Sequence, residues 1–390
     1  MSTSPSGDPS LRRAELLSEL VAINSVNPGQ AGERSGPGGE RALAEFVAER
    51  AEGLGGEVVL DEVESGRPNV YARFQGRSDS VVAVDVHLDT VGVEHMEGDP
   101  FDGRIEDGRV YGRGSVDTKA TMAVLLTLLE DVAANDLRLD PTLLLVGTIS
   151  EEMGGLLGAH RFLEWMESSG ERPSSVVVAE PTLCAPVHGH KGGLGMEICV
   201  HGHAAHSSKP HLGANAITAA ARIVLALEAE HRKLVAQEPT TPMGTGTLSV
   251  TEIGGGRARN IIPDECHLYA GRRVAPGEDP YDIFDELAEV VRQAADPLDI
   301  TIGMANGRAS KAFWRDADSP LIQRLAAIAE SSPELATYGS NALVYADLAP
   351  DLVVFGPGSI DQAHQAVEWV DIAELDRADR TYRTWLSGAH

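Results

Sequence analysis

Four short, nearly continuous apolar runs limit most strictly what this chain can fold into: residues 80–86, 143–148, 176–179 and 351–355. Runs of that length without strict alternation suit strands buried on both faces, which need helices above and below them. Helical patterns lie between them, residues 122–129 among them, so the chain predicts an α/β fold with a mixed, mostly parallel sheet covered by helices. Ionisable residues follow each run. His87 and Asp89 come after the first, Glu151 and Glu152 after the second, Glu180 after the third, and His364 closes the glycine-rich loop after the fourth. Asp117 stands between the glycine-rich turn Gly112-Arg-Gly-Ser and the apolar helix. Open α/β sheets gather their sites at the C-terminal ends of strands, which is where all of these residues fall.

At 390 residues, two domains are the natural expectation. Near residue 190 the pattern changes to β-α-β-β-α-β, the ferredoxin-like split order, and from about Lys311 the first pattern resumes. The expected division is therefore a discontinuous domain, 1–190 with 308–390, interrupted by an α+β module over 191–307. Residues 1–9 are polar, lack an apolar stretch and read as a frayed tail rather than a signal peptide. No apolar run is long enough for a membrane span. The net charge of −27 argues against nucleic acid and anionic membranes as partners. Cys184, Cys199 and Cys266 are too few and too scattered for a disulfide framework or a cysteine-type zinc site, so a reducing cytoplasm is the expected compartment. The acidic excess suits either a salt-rich cytosol or an ordinary acidic enzyme.

Imidazole and carboxylate ligands without thiolate suit zinc, cobalt or manganese. Two histidines and three acids, one of them bridging, are enough for two ions about 3.5–4 Å apart, which turn a bound water into hydroxide near neutral pH. A further acid must then carry protons, and Glu151 fits that part. Taken singly, each residue has a plainer reading: His87 and Asp89 as a capped loop, Asp117 as a helix N-cap, the Glu151–Glu152 pair as a solvated loop. Their joint arrangement favours chemistry.

The motifs His87-Leu-Asp-Thr-Val, Gly112-Arg-Gly-Ser-Val-Asp117, Ser150-Glu-Glu-Met-Gly-Gly, Ala179-Glu-Pro-Thr and Gly356-Pro-Gly-Ser-Ile-Asp-Gln-Ala-His364 resemble the M20 family of dinuclear-metal peptidases and deacylases, in order and over nearly the whole chain. Within it they look most like the acetylornithine deacetylase and succinyl-diaminopimelate desuccinylase branch. The resemblance implies a zinc-exopeptidase (phosphorylase/hydrolase-like) catalytic domain and a lid or dimerisation domain, hence a homodimer through the lid. It implies two Zn2+, with Co2+ or Mn2+ as substitutes: His87 and Glu180 on one, Glu152 and His364 on the other, Asp117 bridging. Asp89 would hydrogen-bond His87 and fix its tautomer, Glu151 would be the general base, and a cis peptide is expected at Asp117–Thr118. In the lid, Gly202-His-Ala-Ala-His-Ser-Ser-Lys-Pro places His206 as oxyanion stabiliser, with Asn260 and Arg273 (rather than Arg272) on the substrate.

Some positions depart from the family pattern. Val86 and Ala120 replace common glycines, and Ser340-Asn341 stands where the deacetylases tend to have Thr-Glu, near the expected substrate site. The expected activity is hydrolysis of an N-acyl amino acid such as N-acetylornithine. A carboxypeptidase, dipeptidase or succinyl-diaminopimelate desuccinylase acting on a short peptide or related amide is the alternative, and a non-catalytic binding protein a remote one.

Overall fold

The computed structural model describes residues 7–388, so residues 1–6 of the expected N-terminal tail lie outside it. The end of that stretch is not frayed. Asp8 caps the helix Pro9–Ala22 by accepting from the Ser10 N–H, and Pro9 occupies the first turn, where a missing N–H costs nothing.

Among the described residues the chain divides into two compact units: one up to His188 with Arg315–Leu335 and Ser340 onward, the other Gly189–Trp314 with Ala336–Gly339. The return to the first unit lies later than the expected 307/308. The last strand of the second unit, Asp299–Ser310, continues past a register shift between Met304 and Ala309, and Phe313–Trp314 then pair with Gly189–His190.

The first unit is built on a six-stranded mixed sheet. Its centre is Val81–His87, flanked in parallel by Thr142–Thr148 on one side and Ser175–Val178 on the other, with Asp351–Val354 parallel beyond the latter. Arg67–Phe74 and Glu57–Glu64 extend the other edge as antiparallel strands. Every residue of Val81–His87 and Thr142–Thr148 is buried, as their continuous apolar character requires. The helix Lys119–Ala133 is buried from Lys119 through Leu129, because it packs on the sheet and against Pro9–Ala22 and Ile372–Leu386. At about 1.5–3 kcal/mol per buried Leu or Met side chain, it is a principal anchor of the core. Leu157–Ser169 and Ile372–Leu386 are helices absent from the sequence expectations.

The second unit is an antiparallel four-stranded sheet in the order Thr247–Gly255, Glu265–Val274, Gly192–His201, Asp299–Ser310. Helices Ala216–Val235 and Pro280–Ala295 pack on the face carrying Leu194, Met196, Ile198 and Val200. This is the ferredoxin-like arrangement. Strict alternation of buried and open residues along Gly192–His201 records a sheet with only one face covered by helices. Among the described residues no helix is long and apolar enough to cross a membrane.

Candidate metal centre

Three adjacent parallel strands end side by side, and each delivers part of the site. Val81–His87 ends in His87, Thr142–Thr148 leads to Glu151 and Glu152, and Ser175–Val178 leads to Glu180. Ser150 takes a left-handed backbone (φ 64), as does His364 (φ 62), conformations that non-glycine residues adopt rarely and mostly at functional turns. Gly356 lets the His364 loop lie against Glu180: a Cβ there would stand 2.6 Å from the Glu180 carbonyl oxygen. Asp117 precedes the buried helix, and the peptide Asp117–Thr118 is cis. Thr118, not Asp117, is the cap residue, so the Asp117 carboxylate is not spent on the helix.

The two carboxylate oxygens of Asp117 face different histidines. Oδ1 lies 3.0 Å from His87 Nε2 and Oδ2 lies 3.3 Å from His364 Nε2. His364 Nε2 is also 3.1 Å from Glu152 Oε2, and His87, Asp117 and Glu152 bring ligand atoms within 4.8 Å of one another. Ligand atoms sharing a tetrahedral zinc lie about 3.3 Å apart, given bonds of about 2.0–2.1 Å. Glu180 completes the group. Its Oε1 is buried without a hydrogen-bond partner among the described residues, an expensive state unless a cation meets it.

Electrostatics point the same way. Burial and mutual repulsion push Glu151, Glu152 and Glu180 above the usual carboxylate range. Despite burial, hydrogen bonds from His364 and His87 hold Asp117 well below it. Burial opposes charge on His87, yet Asp117, Glu180 and Glu151 hold its pKa well up; hydrogen bonds to Asp117 and Glu152 lift His364 to about 10. So many carboxylates around two imidazoles form a site that divalent cations would neutralise, and the donor set fits them.

Asp89 corrects the expectation drawn for it. His87 Nδ1 bonds the backbone carbonyl of Asp89 at 2.9 Å, while the Asp89 carboxylate stands 3.7 Å away. That carboxylate instead accepts from the backbone N–H of Glu151 (3.0 Å) and Glu152 (3.1 Å) and from Asn27 Nδ2 (2.7 Å). It holds the acid pair, not the imidazole. Asn341 is likewise repositioned. It is buried within the first unit, donating to Asp85 Oδ2 (2.9 Å) and Thr148 Oγ1 (3.0 Å), and Tyr345 donates to the same Asp85 oxygen at 2.9 Å. Burial nonetheless raises Asp85 to about 6.

Other supporting residues escaped the sequence reading. Arg113 and Glu368, each 1% exposed, form a buried ion pair, and Glu368 Oε1 also accepts from the N–H groups of Val116 (3.1 Å) and Asp117 (3.4 Å). Lys119 is buried, donates to the carbonyls of Leu20 and Ile23, and is pushed down to about 7 by burial.

Within the second unit, His206 and Asn260 lie on paired loops: Ser207 N–H donates to the Asn260 carbonyl at 2.9 Å, and His206 bridges Ile261. His206 Nδ1 accepts from the Ser208 N–H, so in the neutral ring Nε2 carries the proton. Arg272 is buried and paired with Glu278 at 2.6 Å, whereas its neighbour Arg273 is exposed.

Together the fold and site define a metal-dependent hydrolase built on an α/β sheet. A model of the peptidase dimerisation domain of the M20 type matches residues 188–299, and a model of peptidase family M28 matches 69–180. The chain is 32% identical over 345 residues to an acetylornithine deacetylase of Myxococcus xanthus, covering 86% of each. It is 31% identical over 395 residues to a probable carboxypeptidase of Aspergillus terreus, covering 95% of this chain and 85% of that one. An M20 family metallo-carboxypeptidase of Sulfolobus solfataricus has the same fold, with a TM-score of 0.78 at 18% identity over 96% of this chain and 98% of the other. The chain belongs to the M20 family of metallopeptidases and deacylases and is a hydrolase of amide bonds.

Proposed function

We propose that this chain is a dinuclear zinc deacylase that releases the amine from an N-acyl amino acid of the N-acetylornithine type. The observation that carries the dinuclear reading is Asp117, whose two oxygens are divided between His87 and His364 as a bridging carboxylate requires. His87 and Glu180 would hold one ion, Glu152 and His364 the other, and cobalt or manganese would be accepted by the same donors. Bound there, the ions supply Lewis acidity and an acidified water.

Glu151 takes the proton of the attacking water and gives it to the amine nitrogen as the C–N bond breaks. Its raised pKa, caused by burial and by neighbouring carboxylates, is the direction in which a carboxyl can hold a proton between those two steps. Asp89 keeps Glu151 and Glu152 in place through their backbone N–H groups. The first unit is then the catalytic domain and the second a lid and dimerisation domain, consistent with the model matched at 188–299. His206 would present its Nε2–H to the oxyanion, and Asn260 and Arg273 would bind the substrate, Arg273 through a forked pair of hydrogen bonds to its carboxylate.

The deacetylase named among the relatives supports the acyl amino acid; the probable carboxypeptidase supports a peptide bond as the second reading. An amine-release assay decides between them, with N-acetylornithine, N-acetylcitrulline, N-succinyl-diaminopimelate and dipeptides as substrates. Release from one acyl amino acid, abolished by chelator and restored by zinc or cobalt, is expected. Release from dipeptides alone would replace the deacylase reading with the peptidase one. No release from any of them, with metal bound, would sink both in favour of a binding protein.

A further inference from the structure

The open face of the second unit's sheet carries a second group of metal-type donors. In the antiparallel pairing of Gly192–His201 with Glu265–Val274, Glu265 lies directly opposite His201, and His267 directly opposite Cys199. Side chains at such positions stand on one face with Cβ atoms about 4.5–5.5 Å apart. Here they turn toward one another. Cys199 Sγ lies 3.5 Å from Glu265 Oε1 and 3.9 Å from His201 Nδ1, and the three donor atoms fall within 4.8 Å of one another. His267 Nε2 lies 3.5 Å from the other carboxylate oxygen, Glu265 Oε2.

His201 is already oriented for coordination. Its Nε2 lies 2.8 Å from the hydroxyl of Thr301, a residue of the neighbouring strand opposite Cys199. In the tautomer that donates Nε2–H there, Nδ1, 3.9 Å from Cys199 Sγ, keeps its lone pair for a metal. A ring nitrogen fixed by an outer hydrogen bond is the usual state of a metal-ligating histidine.

We propose that Cys199, His201 and Glu265 form a divalent metal site of zinc or cobalt type on this face, with His267 or water as the fourth ligand. The donor separations suit it, since ligand atoms around a tetrahedral zinc lie about 3.3–3.8 Å apart for bonds of about 2.0–2.3 Å. Binding would form a metal–sulfur bond and release the thiol proton to water, replacing the present contact in which Sγ–H donates to Glu265. The ion would pin two neighbouring strands of the sheet. One thiolate with imidazole and carboxylate suffices for this, so the scarcity of cysteines does not argue against it.

Sulfur makes the site separable from the catalytic one, whose proposed ligands His87, Asp117, Glu152, Glu180 and His364 include none. The metal-depleted full chain, kept reduced, is titrated with Co2+ while the near-ultraviolet thiolate-to-cobalt charge-transfer band is followed. A saturating band is expected in the wild type. Cys199→Ser should abolish it, lower bound metal by one equivalent per chain and leave amide hydrolysis unchanged. Thr301→Val should keep the band but weaken cobalt binding by about 10–100-fold. No band in the wild type, or a band that survives Cys199→Ser, would overturn the assignment. Neither result bears on the catalytic metals, which are counted separately through activity.

Discussion

Asp89→Asn tests whether this residue serves His87 or the acid pair. Its two oxygens meet three donors: Oδ1 takes the Glu151 N–H, and Oδ2 takes the Glu152 N–H and the Asn27 amide. An asparagine has one acceptor oxygen. In its better orientation the oxygen serves Glu152 and Asn27 while the NH2 group faces the Glu151 N–H, leaving one buried donor unpaired at about 1–3 kcal/mol. The two surviving bonds lose the carboxylate's charge, at roughly 1 kcal/mol each. The total, about 3–5 kcal/mol, falls on the loop that carries Glu151 and Glu152. At about 1.4 kcal/mol per factor of ten, kcat/KM should drop by about 100- to 4,000-fold. The backbone carbonyl that holds His87 Nδ1 is untouched by the substitution. In calorimetric zinc titration of the apo-protein, the weakened binding event should therefore be the one lost in His364→Ala, and the event lost in His87→Ala should be preserved. The reverse pattern would refute the reasoning and return Asp89 to the imidazole.

Other expectations rest on single features. Glu151→Ala should retain both metals by elemental analysis yet lose turnover by about 10²–10⁴-fold; retained turnover would remove Glu151 as the proton carrier. Glu368→Gln strands the buried Arg113 guanidinium and should destabilise the chain by about 3–5 kcal/mol in denaturant unfolding, whereas adding Arg113→Met, with the Gln oxygen still accepting from the N–H groups of Val116 and Asp117, should recover most of that loss. An equal loss in the double variant would mean that packing, not charge, sets the penalty. His190 is buried against Phe313, and burial lowers its pKa to about 4. Because the folded value lies below the ordinary 6.5, the unfolded chain takes the proton first. Stability should fall as pH drops from 6.5 to about 4, by at most about 3 kcal/mol from this group, and then level off. His190→Leu should flatten that part of the urea-midpoint profile, and an unchanged slope would show that other groups cause it.

The ends of the buried strands were legible because two independent signals coincide there: an apolar run too continuous for a half-exposed strand, and an ionisable residue just beyond it. His87, Glu152 and Glu180 announce themselves in that way, and the second unit's alternating Gly192–His201 does so by its period of two. What the sequence hides is the support beneath them. Ile372–Leu386 escapes because Asp376, Arg377, Asp379, Arg380 and Arg383 dominate its composition; its buried stripe of Leu375, Ala378, Tyr382 and Trp385 emerges only once spacing is weighed above polarity. The roles of Asp89, Asn341 and Glu368 escape for another reason. Each acts through partners far away in the chain, such as Asn27 for Asp89, Asp85 for Asn341 and Arg113 for Glu368, and no local pattern joins such pairs.

Asn341 stands where a second negative charge would be costly. An acid there would meet the Asp85 carboxylate, already buried and already raised to about 6, and the two charges would repel without solvent between them. An amide donates to Asp85 instead, so this chain keeps a neutral donor where the deacetylases it resembles tend to carry an acid. Asp85 lies two residues before His87 on the same fully buried strand and bonds Thr148 at the end of the adjoining one, so the substitution acts on the strand ends that carry the proposed metal ligands. The difference at this position is thus one of support beneath the metal centre.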